Sequence, residues 1–63
     1  MSLPEVFRIA IKTLGDDASA RACLADARAC EERGDLDGAK RRALKSIAYS
    51  VGVLHPDYKR AAR

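Results

Sequence analysis

Cys23, Cys30 and His55 are the side chains whose types could serve as nucleophile, general base or metal ligand. No C-x₂-C or H-x₃-H clip joins them, and three ligands leave a structural zinc site incomplete. A thiol–imidazole dyad would have to be assembled by the fold, because the sequence places neither cysteine beside the histidine. The four glycines are scattered and form no phosphate-cradling loop. We therefore expect no catalysis, no metal and no cofactor. The thiols read as small core residues and His55 as a turn residue. Cys23 and Cys30 fall in one predicted helix, where seven residues span about 10 Å, beyond the roughly 7 Å limit between bridged Cα atoms. Free thiols fit a reducing compartment.

Charge is the other chemical resource. Residues 1–39 carry five basic and eight acidic side chains, whereas residues 40–63 carry seven basic and one acidic. Lys40, Arg41, Arg42 and Lys45 crowd one predicted helix, and Lys59 and Arg60 follow in the tail. Such a surface suits the phosphates of RNA or DNA. The opposing interpretation is a solvated helix face, partly neutralised by Glu31, Glu32, Asp35 and Asp37 across a turn. Aromatic residues for base stacking are nearly absent. A DNA-reading helix-turn-helix is disfavoured as well, since Lys40 stands where the second helix needs an apolar residue about six positions after the turn glycine.

Three helices must position these groups. Ser2 and Glu5 form a capping-box pattern with Pro4 in the first turn. Leu3, Val6, Phe7, Ala10, Ile11 and Leu14 then recur at helical spacing, predicting a helix over 3–14 closed by Gly15. Asp16 and Asp17 open a second helix, 18–33, whose inward stripe is Ala20, Cys23, Leu24, Ala27 and Cys30. Those small side chains invite a close helical neighbour. Gly34 stops that helix, and Asp35 or Asp37 caps a third, 37–53. From Ala39, its stripe runs through Ala43, Ile47, Val51 and Leu54, flanked by Leu36, Leu44 and Ala48. The short link makes helices two and three an antiparallel hairpin. Pro56 and Asp57 start a short fourth helix at 56–62, which either docks through Tyr58 and Ala61 or frays.

The segment from Cys23 to Asp57 resembles a single tetratricopeptide-type helical hairpin. Ala27, Ala39 and Ser46 sit where such repeats need close contact, Gly34-Asp35-Leu36 matches the turn, and Leu54-His55-Pro56-Asp57 is similar to the ending of kinesin-light-chain-type repeats. Asp26, Cys30 and Ala43 depart from the large apolar residues usual at their positions. This likeness implies a helical hairpin and protein partners. A second likeness is to a bacterial small-subunit ribosomal protein built as a helical bundle. It rests on the runs 11–14, 34–35, 52–55 and 59–63, and it gives ground for the nucleic-acid alternative.

At 63 residues the chain is one domain at most and buries a marginal core. No apolar run approaches the roughly 20 residues that span a bilayer, so no membrane partner is expected. The N-terminus lacks the pattern of a signal peptide, and a cytoplasmic location follows as the expectation. The fold expected is all-α: a small three-helix bundle containing an antiparallel hairpin, with the short fourth helix at its end. The leading functional expectation is a non-catalytic module that binds another protein helix or pairs with itself. Val6, Phe7, Ile9 and Ile11 would be its contacts, with Tyr49 and Tyr58 as aromatic anchors. The alternative is nucleic-acid binding through Lys40, Arg41, Arg42, Lys45, Lys59 and Arg60.

Overall fold

The computed structural model describes residues 2–53, which form three helices: α1 (Leu3–Thr13), α2 (Ala18–Glu32) and α3 (Leu36–Ser50). The expected fourth helix, with Tyr58, Lys59 and Arg60, lies outside the described residues. Each helix begins at a side-chain cap. The Ser2 hydroxyl accepts from the Glu5 backbone N–H, and the Ser2 backbone N–H donates to the Glu5 carboxylate at 3.4 Å, completing the capping box; the hydroxyl also donates to that carboxylate at 2.8 Å. That hydroxyl, then the Ser2 backbone N–H, holds the Glu5 carboxyl below its ordinary pKa. Asp17 accepts from the N–H groups of Ser19 and Ala20, and Asp35 accepts from that of Gly38.

The helix ends differ in an informative way. Gly34 and Gly52 adopt φ of 80° and 82° and build matching Schellman closures. Asp35 and Val53 donate back to the carbonyls of Cys30 and Ala48, both at 2.9 Å. Gly52 is thus the stop signal of α3, which ends at Ser50 rather than at 53. Gly15 plays no such part, because its φ is not positive. Helix α1 stops at Thr13 because Leu14 turns extended, with ψ 124°. There its side chain packs against Ala20, Cys23 and Tyr49. Burial of Leu14 decides that end.

Helices α2 and α3 form the expected antiparallel hairpin, and α1 lies mainly along α3. One cluster joins Val6, Ala27 and Ala43, with Phe7 and Ile47 against it; the other joins Ala20, Cys23 and Tyr49. The core is made of small side chains: Ala10, Ala20, Ala27, Ala39 and Ala43 have no exposure at all. Ser46, equally buried, donates its hydroxyl to the Ala20 carbonyl at 2.7 Å, tying α3 to α2. Both cysteines are free and buried. The inward face of α3 keeps Ala39 and Ala43 of the expected stripe, with Ile47 packed against the core, and departs from it elsewhere; Leu54 lies outside the described residues. That face is Gly38, Ala39, Ala43, Ser46 and Tyr49, while Leu36 and Leu44 are exposed and Val51 lies exposed just past the helix end. The smallest residues select the face because they let two backbones approach.

Gly38 illustrates how tightly the turn is drawn. A Cβ there would overlap the Asp35 carboxylate that caps α3. Gly38→Ala should therefore gain about 1 kcal/mol of helix propensity and lose about as much capping energy, leaving stability nearly unchanged. In an Asp35→Ala background the same change should stabilise by about 1 kcal/mol. Denaturant titration of the four proteins of this cycle measures the coupling, and additivity would refute the overlap.

Candidate interaction surfaces

Because α1 and α2 both rest on α3 and scarcely touch each other, a groove opens between them. Pro4, Phe7 and Ile11, one stripe of α1, form its apolar side; Arg28, Glu31 and Glu32 of α2 form its charged side. The opening has a volume of about 390 Å³. A separate depression of about 260 Å³, lined by Leu14, Arg21, Leu24, Ala25 and Arg28, shares Arg28 with it. Ile11 is 50% exposed at the groove, and Phe7 is half-buried and packed against the core.

A second opening, about 440 Å³, lies on the other flank of the hairpin and involves no α1 residue. Its lining is Cys30, Arg33, Asp35, Gly38, Arg41, Arg42 and Lys45. Arg33 donates to the Cys30 sulfur at 3.3 Å. Arg42 meets Asp26 at 3.4 Å, with both side chains more than half exposed. An ion pair so exposed contributes little and exchanges freely with other anions.

The expected contact residues divide among several environments. Val6 is fully buried and Tyr49 is 8% exposed, so both leave the interaction surface: their side chains complete the two core clusters. Phe7 and Ile11 share the α1–α2 groove. Ile9 is 37% exposed and does not line it. Of the expected basic set, Arg41, Arg42 and Lys45 line the second cleft, but Lys40 is half-buried outside it. Arg33 takes its place. Its position just before Gly34 was the available signal, since the closure at that glycine folds the end of α2 back beside the start of α3. Leu24, in the core as expected, also lines the smaller depression, and Pro4 of the first turn lines the groove.

Among the described residues no group of three or more His, Cys, Asp or Glu side chains could hold a metal ion. None of the described helices is long and apolar enough to cross a membrane. No family model, curated protein or solved structure matches this chain.

Proposed function

We propose that this chain is a non-catalytic interaction module whose α1–α2 groove takes an amphipathic helix, in the first place α1 of a second copy. The observation that carries this reading is an apolar stripe, Pro4–Phe7–Ile11, left open beside a core of alanines and thiols. Folding buries few large side chains here, so the surface that a partner would cover matters more than in a larger domain. Charge favours a second copy. Arg8 and Lys12 flank the stripe on α1, while Glu31 and Glu32 stand on the opposite side of the groove. A two-fold pairing would set Ile11 of each copy against the other stripe and bring each basic pair to the other acidic pair.

Sedimentation equilibrium tests this directly. Three apolar residues a side support a weak dimer, with a dissociation constant on the order of 10–100 µM. Ile11→Asp should yield a monomer. The double reversal Arg8→Glu/Lys12→Glu should weaken pairing, as should Glu31→Lys/Glu32→Lys, and the two combined should restore it. A wild-type chain that stays monomeric to millimolar concentration, or a dimer indifferent to Ile11→Asp, overturns the proposal.

A further inference from the structure

The cleft on the opposite flank presents three arginines and a lysine from two helices, and nothing in the pairing just described uses it. We propose that it is a phosphate-binding surface for duplex nucleic acid, contacting the sugar–phosphate backbone without reading bases.

Four observations converge on this. First, Arg33 at the end of α2 and Arg41, Arg42 and Lys45 on α3 share one opening of about 440 Å³, larger than a single oxyanion needs. Second, Arg41 and Lys45 are one helical turn apart, about 6 Å along the axis, so the cations form a row suited to successive phosphates. Crowding like charges at that spacing costs a few tenths of a kcal/mol, which a bound polyanion would relieve. Third, the lining sets four cations against one carboxylate, Asp35, so it keeps a positive excess. Asp26 engages Arg42 only through an exposed, weak pair that a phosphate can replace. Fourth, among the described residues no aromatic side chain lines the cleft, and those residues offer no platform for unstacked bases. Arginine dominates the set, and its planar fork matches phosphate oxygens two at a time.

The test uses the full chain and a fluorescently labelled, mixed-sequence DNA duplex, with binding followed by anisotropy across a salt series. Four phosphate contacts predict a slope of log K against log salt of about −3.6, a roughly 150-fold loss of affinity between about 50 and 200 mM. Arg33→Gln and Arg41→Gln should each lower the slope by about one, whereas Lys40→Gln, outside the cleft, should not. Duplexes of different sequence should bind alike. Circular dichroism melts of each variant separate loss of binding from loss of fold. Absence of binding at low salt overturns the proposal, and so does a slope that responds to Lys40→Gln but not to Arg33→Gln. Tighter binding of a single-stranded homopolymer would overturn the duplex assignment. Competition by polyglutamate as effective as by the duplex would replace nucleic acid with an acidic protein partner.

Discussion

Ala43→Leu is expected to remove about a third or more of the stability of this protein. Ala43 is fully buried where all three helices meet, in contact with the cluster of Val6 on α1 and Ala27 on α2. A leucine there adds volume at a point closed by two backbones, and overpacking a core costs about 1–3 kcal/mol, more where the surroundings cannot shift. Here neither neighbour can yield cheaply. Moving α2 away would break the Ser46–Ala20 hydrogen bond, and moving α1 away would expose Val6 and Ala10. A chain of this length has roughly 3–9 kcal/mol to lose. At 4–8 °C per kcal/mol, a cost of about 3 kcal/mol lowers Tm by about 12–24 °C. Ala29→Leu, on the exposed face of α2, provides the control and should melt near the wild type. Equal melting of the two variants would mean that α2 and α3 are not in close contact at Ala43.

The second large effect belongs to Ser46, and it has an opposite at Ser50. Ser46→Ala gives up the hydrogen bond to the Ala20 carbonyl and should cost about 1 kcal/mol. Ser46→Val loses the same bond and forces a branched side chain against the backbone of α2, for a total of about 3 kcal/mol. One turn later the Ser50 hydroxyl is buried with no hydrogen-bond partner. Removing an unsatisfied polar group relieves a desolvation penalty, so Ser50→Ala should stabilise by about 1 kcal/mol. Urea titrations of the three variants decide the matter. The same sign for Ser46→Ala and Ser50→Ala would contradict the assignment of the two hydroxyls.

These two positions also mark how far the sequence could be read. Small residues at Ala20, Cys23, Ala27 and Cys30 announced a close helical neighbour, and α3 is that neighbour. On α3, however, periodicity gave weight to Leu36, Leu44 and Val51 because they are large and apolar, and all three are exposed. At this spacing between helices, size excludes a residue from the interface. Alanine, glycine and serine occupy it instead. For the same reason Tyr49 went unrecognised as core: it fills the wider space at the far end of the hairpin, beside Leu14. Gly15 and Gly52 show the matching difficulty at helix ends. Gly15 looks like a stop in the sequence and Gly52 falls inside the helix expected over 37–53, yet of the two only Gly52 takes the left-handed conformation that closes a helix, since Leu14 is drawn out of α1 by burial.

Cys23 and Cys30, whose types first suggest chemistry, fall on the local side of the same boundary, while His55 lies outside the described residues. Local spacing was enough to rule out a bridge between the thiols, because seven residues of helix hold them too far apart whatever surrounds them. Both cysteines are free and buried. The N-caps were equally local, since each depends on a side chain accepting from the backbone within three residues of itself, and so was the hairpin turn, closed by backbone bonds around Gly34. The surfaces were not. Which apolar residues stay uncovered depends on α1 resting along α3 and leaving its Pro4–Phe7–Ile11 stripe beside a gap. The basic cleft likewise required Arg33 of α2 to be brought beside Arg41 and Lys45 of α3. Sequence sets charge and apolarity residue by residue, but convergence on one surface is a long-range property of helix packing, and only the tertiary structure decides it.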